Sequence, residues 1–308
     1  MGWNPIVVGV DGSPESVRAA VTGSVIAQAA GTRCSLVYAA PDYWSATSVP
    51  ELWEDEGSLQ RATIEHSRTL ITNALEGNVP KSLLDDLDVR IGRAPLVLSQ
   101  VAAEQGAGLV ILGGKHHRGV ARLFGGTLPH MLRTCDVPLM ATDGSSGSFQ
   151  RILVATDLSY AARPTLEVAE RYAKLFGARL RVMHVVEPLP VIPGFPAEVP
   201  DDDCYLAAER YLESTIWPLI TVPGAETLIR RGRSAAVIVN EVEQWHADLV
   251  VVGSHGKGWV DRLLIGSTSE RLLHLLPTLT LVVPVPKPTD QERRRFRVDA
   301  QPWEATRR

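Results

Sequence analysis

The sequence predicts an α/β protein made of two tandem doubly wound domains, each with a five-stranded parallel sheet. Three observations predict it: the chain repeats itself, each copy alternates short apolar runs with helical stretches, and a Gly/Ser segment separates the copies. NPIVVGVDGSPESV from Asn4 answers to QRILVATDLSYAAR from Gln150 at a shift of 146, pairing Asp11 with Asp157 and Ser13 with Ser159. LVILGGKHHRGVARLFGGT from Leu109 answers to LVVVGSHGKGWVDRLLIGS from Leu249 at a shift of 140. Internal repeats of this kind take precedence over any local reading, because they set the architecture.

Each half opens on an apolar run, IVVGV or ILVAT, too short for a helix and apolar throughout. A strand covered on both faces has this pattern. An Ala-rich helical stretch follows, stopping at Gly31 or Gly177, and a second run, SLVYAA or RVMHVV, makes the next strand. A long middle helix is expected over 58–77 and 204–220, then a third strand in DDLDVRIG and AETLIRRG. A fourth helix and strand and a last strand, PLMAT or LTLVV, complete a βαβαβαβαβ order in both halves.

TDGSSGSFQ at 142–150 is a flexible linker by composition, so the domains are expected over 1–146 and 147–286. Residues 287–308 carry an arginine run without apolar periodicity and read as a mobile tail. The stretches 41–57 and 187–200 read as matching loops.

With 31 basic residues against 35 acidic ones and a net charge of -4, the chain has no global basic field, so neither nucleic acid nor an anionic membrane surface is expected as a partner. No apolar run approaches the ~18 residues of a spanning helix. Cys34, Cys135 and Cys204 are scattered and odd in number, which fits neither a disulfide framework nor a zinc site. IVVGV begins at Ile6, leaving no room for a signal segment ahead of it, and a cytoplasmic location is expected.

The chemistry-bearing feature is VVVGSHGKGWVDRLLIGSTSE at 250–270. Gly253 ends a strand, Gly256 stands in the turn beyond it, and Gly266, Ser267 and Thr268 open the next helix. Glycines let peptide N–H groups approach an anion, and a helix start adds unpaired amides and the positive end of the macrodipole. Purely structural readings stand beside this one. Ser267 and Glu270 match a capping box, and Asp157 or Ser159 in TDLS matches a helix N-cap. His184 lies in an apolar strand and reads as a satisfied core histidine, while His255 and Lys257 read as exposed loop residues.

Gly253-x2-Gly256-x9-Gly266-Ser267-Thr268, with Thr156-Asp157-x-Ser159 upstream, resembles the nucleotide signature of the ATP-binding universal stress proteins, over residues 4–285 and in tandem. The resemblance implies a strand order of 3-2-1-4-5, ATP as ligand, accompanied by Mg2+, and a regulatory rather than metabolic role, with slow ATP hydrolysis left open. It implies that Asp157 takes the ribose hydroxyls, the backbone of Val185 meets the adenine, and Gly253, Gly256, Gly266 and Ser267 hold the phosphates, with Thr156 and Thr268 also counted among the nucleotide-binding residues. Asp11, Ala39, Gly113, Gly126 and Thr127 are the N-terminal counterparts. It also implies that the last strands pair the two halves as a pseudo-dimer within the chain, a homodimer of chains staying open. No catalytic base and no metal-ligand set stand out. The alternatives are a nucleotide-dependent enzyme of the related fold, for which VGVDGSPES and VATDLSYAA lack the Ser/Gly-rich phosphate loop, and an interaction module with a vestigial glycine loop.

The N-terminal half departs from the pattern. His116 stands where the second glycine belongs, within a basic cluster from Lys115 to Arg118, and Gly108 replaces the acidic Asp248. The N-terminal site is therefore expected to be the weaker.

Overall fold

The computed structural model describes residues 3–42, 56–114, 127–142, 147, 149–188, 201–254 and 266–285. The chain divides into two compact units, Met1–Ser148 and Phe149–Arg308.

The first unit contains β1 (Ile6–Gly9), α1 (Pro14–Ala30), β2 (Cys34–Ala40), α2 (Glu56–Leu75), α3 (Lys81–Asp85), β3 (Asp88–Ile91), α4 (Ala94–Glu104), β4 (Leu109–Gly113), α5 (Thr127–Thr134) and β5 (Leu139–Thr142). Its strands lie in the order β3-β2-β1-β4-β5, and every pairing is parallel. The second unit runs β6 (Arg151–Ala155), α6 (Ala162–Phe176), β7 (Arg179–Val186), α7 (Asp201–Tyr211), β8 (Glu226–Arg231), α8 (Ser234–Trp245), β9 (Leu249–Gly253), α9 (Ser267–Leu275) and β10 (Leu279–Val283). Its order, β8-β7-β6-β9-β10, is the same doubly wound topology. The 3-2-1-4-5 order that the resemblance implies is thus present in both units.

The central strands are covered on both faces, as their unbroken apolar runs require: Val7, Val8, Ile111, Ile152, Leu153, Val154 and Val251 are wholly buried. α1 starts on Ser13, whose Oγ accepts the Ser16 N–H at 3.3 Å, with Pro14 at its first position. Both first helices stop at a left-handed glycine, Gly31 at φ 61° and Gly177 at φ 62°. The middle helix of the second unit departs from the expected 204–220: regular α-helix ends at Tyr211, and the chain continues as a π-turn over Leu212–Ile216 and a 3-10 turn over Trp217–Leu219. Pro218 explains the change, since it offers no N–H and its ring would collide with the Ser214 carbonyl of a regular helix. Among the described residues no helix is long and apolar enough to cross a membrane.

One buried carboxylate ties the second unit together. Glu170 of α6 accepts the N–H and, at 2.6 Å, the O–H of Thr221, and the Val222 N–H at 3.2 Å, with the Lys174 ammonium 3.6 Å away. Burial alone would raise its pKa, but these donors outweigh it and hold the carboxyl below its ordinary value. A depressed native pKa contributes stability that is present above the unfolded value, about 4.3, and is lost as pH falls through the native one. Glu170→Ala is expected to cost about 1.5 to 3 kcal/mol at neutral pH. Glu170→Gln should flatten the acid limb of stability below about pH 4.3. Urea midpoints measured across pH 3 to 7 check both; an unchanged acid limb in Glu170→Gln would remove Glu170 from the acid response.

Candidate functional site

In the second unit β6 leads outward to β7 on one side, while β9 leads to β10 on the other. The carboxyl ends of β6 and β9 therefore flank the point where strand order reverses, and a crevice at such a point is where open α/β sheets bind ligands. Thr156 and Asp157 follow β6 directly, and Gly253 closes β9. Val185 lies on β7 beyond its last ladder partner in β6, Met183 opposite Ala155, so its backbone overhangs the same edge.

Asp157 does not cap α6, which begins at Ala162 on Ala161. Its Oδ1 accepts the Ser159 N–H at 3.0 Å and the Ser159 O–H at 2.6 Å, and Ser159 Oγ in turn accepts the Ala161 N–H at 3.1 Å. Oδ2 is buried and has no hydrogen-bond partner among the described residues; the same holds for Thr156 Oγ1. Thr156 is only 7% exposed. A buried polar atom without a partner costs about 1 to 3 kcal/mol, so a group that supplied the missing hydrogen bonds would be stabilising here.

His184 holds this corner from β7. Its Nδ1 lies 2.8 Å from the Thr156 carbonyl, and since a carbonyl only accepts, Nδ1 carries the proton. The Thr156 N–H donates to Met183 O at 2.9 Å. The N–H and the C=O of Thr156 are thereby both fixed to β7, and His184 is the satisfied, buried histidine that its apolar surroundings predict.

On the β9 side, the Gly266 N–H donates to Ser254 O at 2.9 Å, clasping residues 254 and 266 together. The Ser254 N–H donates to Val283 O at 2.8 Å, and its Oγ accepts the Val285 N–H at 3.0 Å. Gly266 is the N-cap of α9 and the Glu270 N–H bonds to its carbonyl at 2.9 Å. Ser267 is therefore the first helical residue rather than the cap, and no capping box with Glu270 forms. The amides of Ser267, Thr268 and Ser269 precede the first intrahelical bond. Gly256, His255 and Lys257 lie outside the described residues.

Ser269 is a residue that pattern reading missed. Its Oγ–H donates to Gly253 O at 2.6 Å, and its side chain shares the buried face of α9 with Leu272 and Leu273. A hydroxyl on an otherwise apolar stripe was the available signal.

The first unit repeats the frame and the Asp–Ser turn but not the other side-chain contacts. Asp11 Oδ1 receives the N–H and O–H of Ser13, while Val10 replaces Thr156, Tyr38 replaces His184, and Ala39 stands opposite Val185. Gly113 has a packing reason for being glycine: a Cβ there would lie 2.7 Å from the Glu15 carbonyl carbon and 2.8 Å from the Ser16 nitrogen, both backbone atoms of α1.

Two expectations about this half change. From α5 onward the true match is a shift of 141, not 140. Gly113 pairs with Thr142 where Gly253 pairs with Val283, and the buried Leu128, Met131 and Leu132 match Ser269, Leu272 and Leu273. From Gly113 to Leu128 is 128 − 113 = 15 residues, against 269 − 253 = 16 from Gly253 to Ser269, so the N-terminal connection is shorter. Thr127 therefore answers to Thr268, and Gly126, itself outside the described residues, answers to Ser267 rather than Gly266. The second change concerns Asp248, whose Oδ2 accepts the N–H groups of Gln150 and Arg151, each at 2.8 Å, at the amino end of the strands. That end is opposite the crevice. In the first unit Pro5 has no N–H to offer, and a Cβ on Gly108 would lie 2.8 Å from the Cβ of Asn4. The Gly108 difference reflects strand anchoring and says nothing about a ligand.

The fold defines a tandem α/β protein whose switch-point edge is the place where sheets of this class bind ligands. The family model described as the universal stress protein family matches residues 2–143 and again 148–284. The chain belongs to the universal stress protein family. It is 28% identical over 284 residues to a universal stress protein of Mycobacterium tuberculosis, covering 87% of this chain and 93% of that one. A shorter relative from Thermus aquaticus is 33% identical over 135 residues, covering 44% of this chain and 98% of its own. Among solved structures, a universal stress protein from Archaeoglobus fulgidus superposes with a TM-score of 0.60 at 18% identity, over 92% of this chain and 99% of that chain, which supports the fold.

Proposed function

We propose that the second unit binds ATP and that occupancy biases the conformation or assembly of a cytoplasmic stress-response protein. The observation that carries this reading is the buried, unpartnered Oδ2 of Asp157 beside the unpartnered Oγ1 of Thr156. A pair of ribose hydroxyls is a ligand group that such an acceptor and such a donor–acceptor would satisfy. The overhanging backbone of Val185 would offer its peptide groups to the adenine edge. Gly253, Gly266, Ser267 and Thr268 supply close-approaching backbone and first-turn amides for the phosphates, with Gly256 joining them on the strength of the sequence motif. Mg2+ would arrive with the polyphosphate and neutralise part of its charge.

A ligand that favours one of two conformations shifts the population by its difference in affinity, and no chemical step is needed for regulation. Mass spectrometry of the small molecules released by denaturing the purified chain tests the proposal. ATP or ADP is the expected find. An extract free of nucleotide, from a chain that also gives no heat on titration with ATP and Mg2+, would overturn it.

A further inference from the structure

We propose that Ser269 is a positioning residue of the phosphate end of this site, acting through the carbonyl of Gly253. The inference rests on the nucleotide reading above and deepens it. Nothing in the glycine motif includes Ser269, yet its side chain makes a hydrogen bond that joins α9 to the end of β9. Two links hold the same junction. The backbone link, Gly266 N–H to Ser254 O at 2.9 Å, fixes where the chain returns from the glycine loop. The side-chain link, Ser269 Oγ to Gly253 O at 2.6 Å, fixes the first turn of the helix against the strand.

The geometry has a direct consequence for an anion. The amides of Ser267 and Thr268 are unspent within the helix, and their distance from Gly253 is set by how the first turn is held. With Ser269 only 5% exposed, its bond is shielded from competing water and holds that turn in one position. Preorganised donors bind without the cost of ordering them on arrival. A hydroxyl here is not required by the fold itself, because the first unit completes the same helix with Leu128 at the matching place and Gly114 at that of Ser254.

The effect should fall on phosphates and spare the nucleoside, which a merely structural residue would not do. In calorimetric titrations of the full chain, Ser269→Ala is expected to lower ATP affinity roughly tenfold while adenosine affinity changes less than about twofold. Ser269→Thr keeps the donor and should bind ATP like the parent chain, and Ser269→Cys, a weaker donor of similar size, should fall between. If the alanine variant does not fold, the threonine and cysteine pair carries the same comparison. Equal ATP affinity across the series, or equal losses for ATP and adenosine, would overturn the assignment. A parent chain that takes up neither ligand removes the nucleotide reading, and Ser269 with it, whereas a parent that binds both and a series that does not discriminate them removes Ser269 alone.

Discussion

Asp157→Asn is expected to weaken ATP binding by roughly 10- to 150-fold, the equivalent of about 1.5 to 3 kcal/mol for a hydrogen bond to a charged acceptor. Asparagine is the informative replacement. It retains an oxygen for the N–H and O–H of Ser159, so the turn into α6 survives, but it puts an amide nitrogen where Oδ2 now stands. That nitrogen donates, and a ribose hydroxyl seeking an acceptor loses its partner. The unliganded variant should be about as stable as the parent, because one unpartnered buried polar atom replaces another. A nucleotide lacking one ribose hydroxyl should lose less between parent and variant than ATP does. Titration of both nucleotides, with thermal melting of the unliganded chains, checks all three statements. Unchanged ATP affinity in a folded variant would reduce Asp157 to a turn residue.

Residues such as Asp157 mark where sequence reading succeeds and where it stops. The strands were legible because a doubly covered strand must be apolar at every position, as in IVVG and LVVVG, and the helix stops because a left-handed residue favours glycine, as at Gly31 and Gly177. The repeat then placed Asp157 and Gly253 at strand ends by position alone. What stayed hidden were meetings between distant residues. Nothing periodic announces that Asp248 reaches back to Gln150, or that Ser269 reaches Gly253, because each is a single contact across a turn that the local pattern does not encode. The displacement of one position beyond β4 was hidden for a related reason. GGT resembles GST with or without a gap, and only the strand register and the buried face of α5 decide between them.

The asymmetry between the halves leads to the second large effect. Calorimetric titration with ATP and Mg2+ is expected to find one site per chain, or two of clearly unequal affinity, with the tight one in the second unit. Sequence alone based this on His116, whose β-carbon and imidazole stand where Gly256 would let backbone approach a phosphate. The described contacts add independent reasons. Val10 has no hydroxyl to match Thr156, Gly114 and Leu128 cannot make the side-chain bonds of Ser254 and Ser269, and Asp11 is exposed where Asp157 is half-buried. The hydroxyls missing at Val10, Gly114 and Leu128 leave the first unit without groups that could meet or position a ligand, and a hydrogen bond of this kind is worth about 0.5 to 1.5 kcal/mol, so the loss of even one separates two affinities several-fold. Asp157→Asn should weaken the tight site by the same roughly 10- to 150-fold, while Asp11→Asn, acting on a separate unit, should leave its affinity within about twofold. Two equal sites per chain, or loss of the tight site through Asp11→Asn alone, would show that the first unit binds as well as the second despite lacking those groups.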